Sequence, residues 1–166
     1  MNKQFTITIA GNDKAKQLNA LAAITHQHGG KWIKSKISRL DEQIVGIIRI
    51  DVPEQSYDSL QNKLLTETEC HVRVIDSAAI TPEQSTPATL KIESRDRPGI
   101  IHDLTQALDD FGVQLHTMEN HRICVPDAGQ MVFFAELALD IPQSLDKEQL
   151  IRMIEEVEPD LKAELV

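Results

Sequence analysis

The chain repeats itself, and the repeat limits its possible folds more than any single motif does. Aligned on the glycines that end their first helices, residues 5–75 and 89–165 run in step: Asp13 falls on Asp96, Leu18 on Ile101, Leu21 on Leu104, Gly29 on Gly112 and Arg39 on Arg122. In the first copy, residues 5–10 alternate as a half-buried strand and Gly11-Asn12-Asp13 makes a turn. Leu18, Leu21, Ala22 and Thr25 then recur at helical spacing between about Lys14 and His28, and Gly29-Gly30 stops that helix at a left-handed cap. Trp32 to Leu40 and Ile44 to Val52 form a hairpin across Asp41-Glu42-Gln43, closed by Pro53. Tyr57, Leu60 and Leu64 mark a second helix, and Cys70 to Ile75 a fourth strand.

The second copy follows the same order, with a strand at 89–94 and a helix at 98–111 that sets Ile101, Leu104, Leu108 and Phe111 on one face. Gly112 caps it, a strand spans 113–123, and a longer loop, Cys124 to Gln130, leads to a strand from Met131 to Asp140. The last helix takes Ser144 as its N-cap and buries Leu150, Ile154 and Val157, and Pro159 to Leu165 reads as the final strand. The expected fold class is therefore α+β: two tandem ferredoxin-like (βαββαβ) units with antiparallel sheets. Residues 1–77 make the first domain, 78–88 a linker with two prolines and few large apolar groups, and 89–166 the second.

Charge divides along the same boundary. Residues 1–78 hold ten basic against nine acidic side chains, whereas residues 79–166 hold seven against seventeen, so the net charge of −9 belongs to the second half. That balance disfavours a surface that tracks phosphates or adheres to anionic membranes. Lys31, Lys34 and Lys36 nevertheless cluster on one strand of the first copy, where Lys36 aligns with Glu119 of the second. A charge run of this kind is usually a solvated face; even so, opposite signs on equivalent strands could let two copies, or two chains, recognise each other. Cys70 and Cys124 have no neighbouring partner and read as reduced thiols. Met1-Asn2-Lys3 runs straight into the first strand, so a cytoplasmic protein is expected.

Catalytic and metal signatures are missing. His26 and His28 lie about 200° apart around a helix, which is no chelating pair, and their place near its C-terminus suits a contact with the negative end of the dipole. No Gly-x-Ser-x-Gly turn or His-Glu-x-x-His motif occurs, so neither enzyme chemistry nor a cofactor is expected.

Chemistry concentrates instead in Glu93-Ser94-Arg95-Asp96-Arg97-Pro98-Gly99-Ile100-Ile101, where the second copy passes from strand to helix. Pro98 suits the first helical position, since its φ is fixed near the helical value and its missing N–H would be unpaired there anyway. Gly99, without a Cβ, lets a bound group approach the N–H groups of Gly99, Ile100, Ile101 and His102 at the positive end of the helix dipole. That is a carboxylate-sized anion site. The plainer alternative is that Asp96 caps the helix and Arg97 is a solvated loop charge.

Asp-Arg-Pro-Gly-Ile followed by an amphipathic helix ending in Phe-Gly-Val resembles the first half of an ACT domain, the small-molecule-sensing module of amino-acid metabolism. The resemblance implies a free amino acid held at residues Arg95, Asp96, Arg97, Pro98, Gly99, Ile100, Ile101 and His102. It also implies that Glu119 and Asn120, on the following strand, reach the ligand's ammonium or side chain. In the first copy Lys14-Ala15-Lys16 replaces Arg97-Pro98-Gly99, so its turn is a poorer cradle.

As two such units with nothing else appended, the chain is similar to the glycine cleavage system transcriptional repressors. That likeness implies a homo-oligomeric regulator that acts through a LysR-type transcription regulator rather than DNA, in response to glycine or another amino acid. A passive dimerisation module, or a regulator of another amino-acid pathway, fits the same residues.

Overall fold

The computed structural model describes residues 1–12, 16–75, 84–127 and 129–166. The chain divides into two units, Met1–Ile80 and Thr81–Val166. In the first, β1 (Asn2–Asn12), α1 (Gln17–Gln27), β2 (Lys31–Leu40), β3 (Gln43–Pro53), α2 (Tyr57–Thr66) and β4 (His71–Ile75) succeed one another, with a 3₁₀ turn at Glu54–Ser56. The second repeats the order with β5 (Ser85–Arg95), α3 (Ile100–Asp110), β6 (Gln114–Val125), β7 (Gln130–Pro142), α4 (Lys147–Glu155) and β8 (Lys162–Leu165). Their sheets run β2-β3-β1-β4 and β6-β7-β5-β8, all neighbours antiparallel, as expected of two ferredoxin-like units.

Alternation builds each sheet. Phe5, Ile7 and Ile9 on β1 and Ile48, Ile50 and Val52 on β3 point to the helix side, where Leu21, Ile24, Leu60 and Leu64 meet them. In the second unit Leu90 and Ile92, then Phe133, Ala135, Leu137 and Leu139, face Ile100, Leu104, Leu108, Leu150 and Ile154. A fully buried Leu or Ile contributes roughly 1.5–3 kcal/mol of transfer free energy, so these two clusters dominate the stability of their units. Thr25, a polar group drawn inside, finds partners: its Oγ1 donates to the Leu21 carbonyl (2.8 Å) and accepts from Trp32 Nε1 (3.2 Å). Gly29 and Gly112 end α1 and α3 with φ of 72° and 67°.

Several local expectations need correction. Gly11 and Asn12 continue β1, paired with Ile44 and Gln43, and Asp13 lies outside the described residues. Ala22 is exposed and Ile24 takes its place inward, because the helix starts at Gln17 and its stripe runs through Gln17, Leu21, Ile24 and Thr25. Phe111, at the end of α3, is 50% exposed. Residues 85–88, assigned to the linker, lengthen β5 and pair with residues 139–142 of β7, while 78–83 lie outside the described residues. The N-cap of α4 is Asp146 rather than Ser144: Asp146 accepts from the Gln149 N–H (2.7 Å) and Gln149 Oε1 accepts from the Asp146 N–H (3.2 Å), a reciprocal pair Ser144 cannot make from two residues upstream.

His28 Nδ1 lies 2.9 Å from the Ile24 carbonyl near the end of α1, and among the described residues no three His, Cys, Asp or Glu converge as metal ligands. Among those residues no helix is long and apolar enough to cross a membrane.

Candidate functional site

At the junction of β5 and α3 the chain makes a tight turn rather than entering the helix directly. Gly99 is the N-cap, with φ 81° and ψ 2°, and Ile100 is the first helical residue. Pro98 thus precedes the cap instead of filling the first helical position. The sequence Pro-Gly explains why: Gly99's angles are those of the third residue of a type II turn, where a residue with a Cβ is strained, and Pro98 supplies the second. Nothing caps the helix with a side chain. The N–H of Asp103 bonds the Gly99 carbonyl at 3.0 Å, and among the described residues no carbonyl accepts from the N–H groups of Gly99, Ile100, Ile101 or His102. A Cβ built on Gly99 would meet only Arg97 Nη1, at 3.7 Å, so the space over the turn is open.

The charged side chains of the motif are engaged by the protein itself. Asp96, 19% exposed, accepts from Arg122 Nε at 2.9 Å, and its N–H donates to the Met131 carbonyl at 2.9 Å. Arg122 in turn lies over the Phe133 ring, 5.6 Å from its centroid. Arg97 Nε bonds Glu158, its Nη2 bonds Asp103 (2.7 Å), and its Nη1 donates to the Pro98 carbonyl (3.1 Å). The Glu158 bond, with Asp103 second, raises the Arg97 pKa above its ordinary value. Arg95 is the most exposed of the three and pairs loosely with Asp160 at 3.6 Å. Asp96 therefore does not cap the helix, and Arg97 is neither a solvated charge nor free for an anion. Arg97 ties the turn to the first turn of α3 and to the segment after α4.

The remaining predicted residues divide. Ile100 is fully buried and Ile101 packs against the same core, so each can offer only its backbone, while His102 is exposed at the turn. Asn120 pairs with Ala135 and so lies on the helix side of the sheet, one pleat from Arg122. Glu119 pairs with Glu136 and points to the opposite face, into a shallow depression of about 310 Å³ with Lys91, His121 and Phe134. Successive residues of a strand cannot share a face, so Glu119 does not belong with the turn. Arg122, Asp103 and Glu158 were missed. Arg122 alone had a signal, since Asp96 and Arg122 align with Asp13 and Arg39 and so recur as a pair.

The class these features define is a tandem βαββαβ protein whose second unit carries a backbone-lined turn at a helix start. Residues 3–74, which span most of the first unit, match the ACT domain family model, and the whole chain has a tandem ACT-like fold. An unknown protein from Galdieria sulphuraria superposes with a TM-score of 0.86 at 17% identity, covering 100% of this chain and 99% of that one. A structure described provisionally as a glycine cleavage system transcriptional repressor superposes with a TM-score of 0.75 at 14% identity, covering 100% and 97%. At such identities the likeness speaks for fold alone. No curated protein matches the sequence.

Proposed function

We propose that this chain is a non-enzymatic regulator that senses a free amino acid at the turn of its second unit and acts through a protein partner. One observation carries the reading: the motif's charges are spent on the protein's own groups, yet four backbone N–H groups are left at the start of an eleven-residue helix, under a glycine with open space above it. A ligand carboxylate fits those donors and the helix dipole. Asn120, on the same side of the sheet, is the acceptor for its ammonium; Glu119 is not part of this site.

The resemblance of the Asp-Arg-Pro-Gly-Ile turn and the tandem arrangement to the glycine cleavage system transcriptional repressors brings glycine or a similar amino acid as ligand, and a LysR-type transcription regulator as partner, into the same reading. The net charge of −9 supports action without direct contact with DNA, and a cytoplasmic place belongs to the same reading. Self-association into a homo-oligomer belongs to the same reading. The best tiny ligands gain roughly 1.5 kcal/mol per non-hydrogen atom, which caps glycine at about 7.5 kcal/mol and a Kd of several micromolar. A thermal-shift screen of the common amino acids up to millimolar concentration tests the reading. A rise in Tm with one or a few of them is expected, and a flat response to all would leave a passive interaction module.

A further inference from the structure

Each unit covers one face of its sheet with two helices, and the register shows what the other face carries. In the first unit Lys34 stands directly opposite Arg49, and Lys36 opposite Ile47, around a shallow depression of about 330 Å³. Arg73 joins them across Thr8. None of these four cations has a carboxylate partner among the described residues. Apolar side chains lie exposed on the same face, Val45 at 51% and Ile47 at 53%.

The second unit presents the same surface with the signs changed. The two registers are superimposable, each with a bulge after the second residue of its second strand, and they place Glu119 where the first unit has Lys36, Glu136 where it has Ile47, and Glu164 where it has Arg73. Glu119 stands opposite Glu136, which lies 4.0 Å from Lys91; Lys91 also stands opposite Glu164, and Lys162 balances Glu93 on the same face, so the acidic excess rests on Glu119, Glu136 and Glu164. Phe134, stacked on His121 with centroids 5.6 Å apart, and the exposed Ile123 give this face apolar area as well. Like charges directly opposite on neighbouring strands destabilise a sheet, and each unit retains such a pair, Lys34 with Arg49 and Glu119 with Glu136. A face of the other sign relieves both.

The geometry points to a second copy of this chain as the occupant: the open basic face of the first unit docks on the open acidic face of the second unit of another copy. This deepens the self-association reading above and rests on it. Four strands about 4.8 Å apart and about six residues long present roughly 400 Å². A single contact of two such faces is small for a stable complex, but two contacts related by a twofold axis bury roughly 1,600 Å², the size of a standard interface, and close the dimer.

Charge reversal on the full chain tests this by sedimentation. All the substituted residues are exposed, so the units should fold in each variant. The wild type should be dimeric at high micromolar concentration and dissociate as salt rises from about 0.05 M to about 0.5 M. Lys34→Glu, Lys36→Glu and Arg49→Glu together make both faces acidic, and Glu119→Lys with Glu136→Lys makes both basic. Each variant alone should weaken dimerisation by about tenfold or more, and a one-to-one mixture should restore it as a heterodimer. A dimer unaffected by either set of substitutions, or variants that the mixture fails to rescue, would overturn the docking while leaving self-association standing. A wild type that stays monomeric, with or without retention of DNA on the basic face, would overturn both.

Discussion

The two units part company where the first strand hands over to the first helix, and the contrast separates what the fold requires from what a ligand would use. In both, the residue before the helix is left-handed: Gly99 with φ 81° and, at the aligned position, Lys16 with φ 50°. A left-handed residue before the helix is thus common to the two units despite the loss of glycine. What differs is the surface over it. Lys16 places a side chain where Gly99 leaves open space, and a non-glycine residue there costs about 1–2 kcal/mol of strain. The next residue differs too. Ile100 is fully buried in its core, whereas Gln17 fills the equivalent place at 5% exposure, with its Nε2 on the Asn12 carbonyl (2.5 Å) and its Oε1 without a partner among the described residues. Lys16 is therefore a strained counterpart of Gly99.

The largest expected effect tests whether the two cores are equivalent beneath these differing turns. Leu21 and Leu104 occupy aligned positions and both are fully buried. Leu21→Ala and Leu104→Ala should each cost about 2–5 kcal/mol in denaturant unfolding, and a near-zero cost for either would break the equivalence. The turns come next, as a mirrored pair. Gly99→Ala should destabilise by about 1–2 kcal/mol, from conformation rather than crowding, because its Cβ has room; Lys16→Gly should gain a few tenths to about 1 kcal/mol once glycine's extra entropy is deducted. Opposite signs are the point, and equal signs in thermal unfolding would show that the turns are not conformationally alike. Smallest is Gln17→Met, similar in shape but without the orphan acceptor, which should stabilise by about 1 kcal/mol. A loss on the same scale would mean that the bond to Asn12 outweighs the buried oxygen.

Much of this was legible in the sequence. The alternation of Phe5, Ile7 and Ile9 and the spacing of Leu104 and Leu108 are local signals, and they located strands and helices in the right order. The cap of α4 was legible as well, since Asp146 and Gln149 stand three apart as a capping box, a stronger signal than Ser144 alone. Parity along β6 could have separated Glu119 from Asn120. What no local pattern holds is the destination of the motif's charges: Arg97 meets Glu158 some sixty residues on, and Asp96 meets Arg122 across a hairpin. Such pairings depend on how the elements pack, so an arginine that looked poised for an anion is in fact a tie within the fold.

On the proposed function, the second unit's turn, and not the first's, holds an amino acid. Titration calorimetry on the full chain with the wild type, Gly99→Val and Lys16→Val, at ligand up to millimolar and below the onset of each variant's cooperative unfolding, decides between the two turns. Saturable heat is predicted for the wild type and for Lys16→Val, and none for Gly99→Val. Unchanged binding by Gly99→Val, or equal loss in both variants, would contradict it.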